Sequence, residues 1–295
     1  MVGLGRMGAG MTRRLEVHGH EVKTYDPKVD STSGTLQELA EQLDPPRHAW
    51  AMVPSGEITE QTVQQLIGVL EPGDTIIDGG NSYFRDSQRR YGDAQKREIA
   101  YVDAGVSGGV WGFDVGFCLM VGGDDAPVGR LRPICEALAP ENGWAHVGPS
   151  GAGHYVKMVH NGIEYGLMQA YAEGFELMHH SEFELDLEEI AGIWRYGSVV
   201  RSWLLDLLHE AFEEHGSALD DIQGYVEDSG EGRWTLNEAT STAVPMPVRA
   251  ASLFARFASR REIDFAAKVA AALRNQFGGH AVRAVEAARK GPNPR

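Results

Sequence analysis

Two residues into the chain stands Gly3-Leu4-Gly5-Arg6-Met7-Gly8, with glycines at the first, third and sixth places of a six-residue run. Such a run constrains the fold because each glycine answers a different need of a strand-to-helix turn. The first permits the tight turn, the second lets a backbone come close to a pyrophosphate, and the third lets the helix pack on the strand. Glycine-rich turns are common, so the neighbours decide. A helical pattern through Met11 and Leu15, with Arg13 and Arg14 outward, leads to Gly19 and then to a strand over 21–25 that ends in Asp26. An acid at that place is set to accept from both ribose hydroxyls of NAD and to repel the extra phosphate of NADP, although Lys28 nearby softens the discrimination. NAD is therefore the favoured cofactor, with NADP left open. A first strand normally supplies about five or six residues, and here Met1 and Val2 alone precede the glycines. The expectation is a strand whose beginning lies upstream; a sheet truly lacking that member would be badly weakened.

Alternation then continues. Residues 48–53, 74–78, 99–103, 116–121 and 144–147 read as strands, and 60–70, 83–96 and 127–138 as helices. This order implies a doubly wound, mostly parallel sheet of the Rossmann type ending near Gly148. Ligands on such sheets sit beyond the carboxyl ends of the strands. Three turns fall at such ends: Val53-Pro54-Ser55, Asp78-Gly79-Gly80-Asn81-Ser82, and the stretch from Asp103 to Ser107-Gly108-Gly109. After Gly151 the pattern changes to long helices, over 152–180, 187–194, 199–214, 236–243, 248–259 and 264–277. The fold class is α/β, with a dinucleotide-binding domain over 1–149 and an all-helical domain over 150–295 for substrate binding and dimerisation; the end from Lys290 to Arg295 reads as a frayed tail.

Chemistry concentrates at the start of the first long helix. A helix advances about 100° per residue, so Asn161 lies about 40° from Lys157 and Glu164 about 20° to the other side. Lys157, Asn161 and Glu164 thus share one stripe, flanked by His160 and Tyr165. An amine, an amide and a carboxyl in a row can accept, orient and donate a proton. The same spacing also describes an ordinary solvated polar face. The apolar residues further along, Leu167, Met168, Tyr171, Phe175 and Leu177, favour a buried, working lysine.

Composition narrows the classes. A net charge of −15 disfavours nucleic-acid binding, and it obliges an anionic substrate to be drawn in by a local cationic pocket. No apolar run is long enough for a bilayer and no signal pattern opens the chain, which points to the cytoplasm and to no membrane partner. Cys118 and Cys135 are expected as reduced, buried small hydrophobes, and no cluster with metal-ligand spacing is seen.

Together these motifs are similar to those of a known family. GLGRMG at the start, DGGNS at 78–82, VSGG at 106–109, KMVHNGIEY at 157–165, GEGRWT at 230–235 and NQFGGH at 275–280 cover essentially the whole chain. It resembles the β-hydroxyacid dehydrogenases, and within them the decarboxylating 6-phosphogluconate dehydrogenases in their short bacterial and archaeal form. The resemblance implies oxidative decarboxylation of a phosphorylated sugar acid, 6-phosphogluconate, to ribulose 5-phosphate and CO2, with hydride passing to NAD or NADP. It implies Lys157 as general base, Asn161 as the group that binds and orients substrate hydroxyls, and Glu164 as general acid. Ser107, Gly108, Gly109 and His160 would hold the carboxylate and hydroxyl end, and Asn81 would touch both cofactor and substrate. Tyr165, Arg256 and Arg274 would contact the phosphate and His280 would close the pocket, Arg274 and His280 coming from the neighbouring subunit of a homodimer. Gly3, Leu4, Gly5, Arg6, Met7, Gly8, Asp26 and Val53 would line the cofactor. One departure stands out: the long-form enzymes carry a lysine and a threonine for the phosphate where this chain has Ser229 and Glu231. Phosphate recognition then rests on Arg256, Arg274, Tyr165 and Arg233. The alternative is a non-decarboxylating dehydrogenase of the 3-hydroxyisobutyrate type, which would need neither Glu164 nor the arginines near the C-terminus.

Overall fold

Ile76 and Ile77 are both buried, yet they belong to different cores, one on each face of a sheet. That is the period-2 alternation of a strand covered by helices on both sides. The computed structural model that shows this describes residues 1–261, 265–278 and 281. The glycine turn leads into α1 (Arg6–Val17), and α2 (Leu36–Glu41) starts where the Thr35 side chain accepts from the Glu38 amide. There follow β1 (His48–Ala51), α3 (Glu57–Val69), β2 (Thr75–Asp78), α4 (Phe84–Gln95) and β3 (Ala100–Ser107). A short turn of 3-10 helix, Gly109–Trp111, runs into α5 (Gly112–Val115), then β4 (Cys118–Gly122), α6 (Asp125–Leu138) and β5 (Trp144–Gly148).

The sheet order is β1-β2-β3-β4-β5. All pairs are parallel except β3 with β4, which run antiparallel with Ser107 opposite Cys118. Met11, Leu15, Phe117 and Leu131 fill one face, and Leu39, Val63, Leu66 and Tyr101 the other. The doubly wound, mostly parallel arrangement is the one the alternation implied.

Three local expectations are corrected. Of the segment 21–25, Tyr25 alone makes a β-bridge; its partner is Val2, which also bridges Ala51. Val2 is buried between these two neighbours, and a cavity of about 90 Å³ lined in part by Met1, Val22, Trp50 and Ile77 lies beside it. Next, β3 does not stop at Asp103. Ala104, Gly105, Val106 and Ser107 have turn-like composition, but an antiparallel partner completes their ladder. Finally, Cys135 is buried, its thiol pushed up to about 12 by desolvation, whereas Cys118 at the start of β4 is exposed.

From Gly151 the chain is helical. The helix α7 (Ala152–His179) is about 42 Å long at 1.5 Å per residue. It is followed by α8 (Leu187–Trp194), α9 (Trp203–His215), α10 (Glu231–Ser241), α11 (Pro247–Ser259) and α12 (Phe265–Gly278). Caps explain where some begin: the Ser202 side chain accepts from the Leu205 amide, so α9 starts at Trp203 rather than at 199. A third core joins Phe175, Leu187, Ala191, Leu205 and Phe212. Among the described residues no helix is long and apolar enough to cross a membrane. The expected tail at 290–295 and His280 lie outside the described residues.

Candidate active site

The nucleotide side is built from backbone. Gly3 turns with φ +89°, and a Cβ on Gly8 would stand 2.1 Å from the Gly3 carbonyl oxygen, so only glycine lets α1 start this close to the strand. Gly5 caps α1 without any side-chain hydrogen bond, leaving the first amides of the helix for an anion. The Leu4 amide donates to Asp26 Oδ2 at 2.7 Å and the Lys28 amide to Oδ1 at 2.8 Å. That first bond holds the Asp26 carboxyl below the usual carboxylate range. Arg6 and Met7 form the first turn of α1, and Val53 packs beside Gly3 and sets its carbonyl against Gly80. These are features that fit a dinucleotide: an uncapped helix N-terminus for the pyrophosphate and an ionised acid just after the bridged Tyr25 for the ribose.

The loop at 78–82 is held by a buried charge network. Asp78 Oδ2 accepts from Ser82 Oγ at 2.9 Å, Tyr101 OH at 2.8 Å and Arg90 Nη1 at 3.1 Å. Arg90 Nε in turn donates to Glu60 at 2.9 Å, and Arg89 adds two more bonds to the same carboxylate. Those guanidinium bonds pull the Glu60 carboxyl down to about 2. The network fixes Asn81 above the sheet.

Lys157 is reached from β3. A Cβ on Gly105 would lie 2.5 Å from Lys157 Cβ, and one on Gly153 would lie 2.4 Å from the Asp103 carbonyl oxygen. Two glycines therefore let α7 touch the strand. Asp103, wholly buried, fixes the contact: its carboxylate accepts from the Gly151 amide at 2.6 Å and the His154 amide at 2.9 Å, capping α7 from a different element. The sheet, then, is what shields Lys157. The apolar half of the helix expected to do so is largely exposed at Leu167, Met168 and Leu177. Burial lowers the Lys157 ammonium from the usual lysine range, opposed by the charges of Glu164, Glu231 and Cys118.

Around it the row assembles. His160 Nε2 is 3.5 Å from Ser107 Oγ, and its Nδ1 lies 3.0 Å from Asn161 Oδ1 and 4.0 Å from Glu164 Oε2. Gly108 and Gly109 follow Ser107 at the strand end. Tyr165 is buried, and its hydroxyl accepts from the Ser229 amide at 3.3 Å. The Arg256 guanidinium stacks 3.4 Å from the centre of that ring and donates to the Glu227 carbonyl. Arg233 instead pairs with Asp228 at 2.7 Å, away from Tyr165. Arg274 lies on an exposed part of α12.

Sequence reasoning missed Arg249 and the contacts that Glu231 makes. Arg249, 4% exposed, sits 4.4 Å from the Tyr165 ring centre, with two of its guanidinium nitrogens lacking a protein partner. Glu231, 2% exposed, accepts from Asn161 Nδ2 at 3.1 Å and closely from Asn81 Nδ2. Neither has a local signal: both contacts cross more than sixty residues of sequence, and the helix carrying Glu231 starts five residues earlier than its pattern suggests. Among the described residues no group of three or more His, Cys, Asp or Glu could hold a metal.

The chain carries a glycine-cradled nucleotide turn and, packed against β3, a half-buried lysine row, and comparison with known proteins says which family combines them. Residues 1–148 match the NAD binding domain of 6-phosphogluconate dehydrogenase, and residues 153–290 match the 6-phosphogluconate dehydrogenase C-terminal domain. An NAD(+)-dependent, decarboxylating 6-phosphogluconate dehydrogenase of Haloferax volcanii is 42% identical over 96% of this chain and 97% of its own. An NADP(+)-dependent, decarboxylating one of Bacillus subtilis is 35% identical over 88% of this chain but 60% of its own length. The structure of Plasmodium falciparum 6-phosphogluconate dehydrogenase superposes with a TM-score of 0.81 at 28% identity, over 94% of this chain and 64% of that one. The chain belongs to the 6-phosphogluconate dehydrogenase family.

Proposed function

We propose that this chain oxidises and decarboxylates 6-phosphogluconate to ribulose 5-phosphate and CO2, using NAD. The observation that carries the reading is the half-buried Lys157, pressed against β3 and in one row with Asn161 and Glu164. Bound NAD would accept the hydride from C3 of the sugar acid. Burial favours the neutral amine of Lys157, which takes the C3 hydroxyl proton. The resulting 3-keto acid loses its carboxylate because the electrons flow into the ketone, which the Lys157 ammonium polarises. Glu164 then delivers a proton to C1. Asn161 and Asn81 orient the hydroxyls, and Ser107, Gly108, Gly109 and His160 receive the carboxylate end.

At the far end Tyr165 and Arg256 bind the phosphate, with Arg274 and His280 supplied by a second copy. Exposed Leu177, Trp203 and Phe254, and an apolar cavity of about 540 Å³ lined by residues such as Phe175, Leu187, Leu208 and Phe212, support a homodimer formed through the helices. The division of labour falls at residues 149–150, and the cytoplasm, which holds NAD and phosphorylated sugars, is the proposed compartment. Preference for NAD over NADP rests on Asp26, whose bond from Leu4 keeps a negative charge where the extra phosphate would lie. The test is direct: incubate the protein with 6-phosphogluconate and either cofactor, and follow reduced cofactor and released CO2 together. Equal amounts of both are expected, faster with NAD; hydride transfer without CO2 would overturn the reading.

A further inference from the structure

Glu231 has no place in the mechanism above, yet it is 2% exposed and bonded to Asn161 of the row. It opens α10 behind Gly230, where the unpaired amides of a helix N-terminus favour negative charge. One of its oxygens takes the amide hydrogens of two asparagines from separate parts of the fold: Asn81 at the end of β2 and Asn161 on α7. A carboxylate only accepts, whereas a carboxamide can present either its oxygen or its nitrogen. Committing both Nδ2 groups to Glu231 therefore decides which way each amide faces, and Asn161 Oδ1 is left beside His160 Nδ1.

We propose that Glu231 is a positioning residue of the reaction: its buried carboxylate sets the orientation of the Asn81 and Asn161 amides together. This rests on the function proposed above and adds to it an acid in the wall of the pocket. A dianion would be repelled there, so the phosphate of the substrate is left to the face of Tyr165 on which the Arg256 guanidinium stacks. The charged and titratable groups around Lys157 are Glu164 and His160 on α7, Cys118 on β4 and Glu231 on α10; Glu164, Cys118 and Glu231 each favour the ammonium, against burial. Removing Glu231 should leave burial less opposed, so the free amine should persist to lower pH.

The experiment compares Glu231→Gln with the parent in two assays. Turnover of 6-phosphogluconate with NAD should fall about a hundredfold in kcat, the usual effect of misplacing reacting groups by about 1 Å, with the KM for NAD little changed. Without substrate, the rate at which Lys157 is acylated, read by mass spectrometry across pH, should shift its midpoint to lower pH. A merely structural role would leave that midpoint in place. An inactive parent would remove the functional reading while the acylation assay still tests Glu231. Unchanged kcat together with an unmoved midpoint overturns the proposal. Should Glu231→Gln fail to fold, Glu231→Asp keeps the charge but withdraws the oxygen: a fall in kcat with the midpoint kept supports the proposal, and parental kcat overturns it.

Discussion

The two halves of the candidate site are made of different materials. The nucleotide half is mostly backbone: a glycine turn, an uncapped helix end and one acid bonded to a neighbouring amide. The substrate half is mostly side chains from distant segments, in which Lys157, Asn161, Glu231 and Asn81 meet across α7, α10 and the end of β2. Backbone geometry tolerates almost no substitution but depends on few partners. A side-chain cluster can be altered one group at a time, and each change exposes a charge or an amide that its neighbours must answer.

Perturbations should separate the halves. The largest effect is expected for Lys157→Met, which should lower kcat by about 10²–10⁴-fold, the range for losing a general base, with NAD affinity by calorimetry unchanged. A matching loss of NAD affinity would mean that the halves are not independent. In the parent, kcat/KM should rise as pH climbs through the titration of Lys157, because the neutral amine is the active form. Burial lowers that pKa, so the rise should finish below the pH at which an exposed lysine titrates. Gly8→Ala should act on the other half: a Cβ 2.1 Å from the Gly3 oxygen forces the turn apart. The variant should lose about 1–3 kcal/mol of stability by overpacking, and saturating NAD should no longer raise its Tm. Arg256→Ala should raise the KM for 6-phosphogluconate by about tenfold or more, as loss of a charge-assisted hydrogen bond does, and leave the KM for gluconate nearly unchanged. Smallest should be Asp26→Ser, which removes a negative charge beside the glycine turn and should narrow the ratio of NAD to NADP efficiency by about tenfold, or ~1.4 kcal/mol. An unaltered ratio would place cofactor choice elsewhere.

The same contrast explains what was legible in the chain. The glycine turn, the alternation and the lysine row are local patterns, and the sheet, α8 and the helix bearing Lys157 follow them closely. What shields Lys157 was misread: exposed apolar residues further along α7 looked like its cover, whereas Gly105, fifty-two residues earlier, provides it. Ala104 to Ser107 looked like a turn because small residues suit turns and close strand pairing equally, and only the partner β4 distinguishes them. Glu231 stood out only as a departure at a phosphate-binding position; that it gathers two asparagines depends on three segments meeting, which no spacing encodes. Arg249 carries no pattern at all, being one of the two arginines on α11.

The cap that Asp103 places on α7 has a mechanical outcome. Two amides and two glycine contacts weld the first turn of that long rod to the strand, so the amine one turn further on travels with the nucleotide platform. Swinging of the distal helices about the remote end of the rod would reshape the pocket mouth and the seat of the phosphate. The gap between proton acceptor and hydride acceptor would stay as the strand sets it.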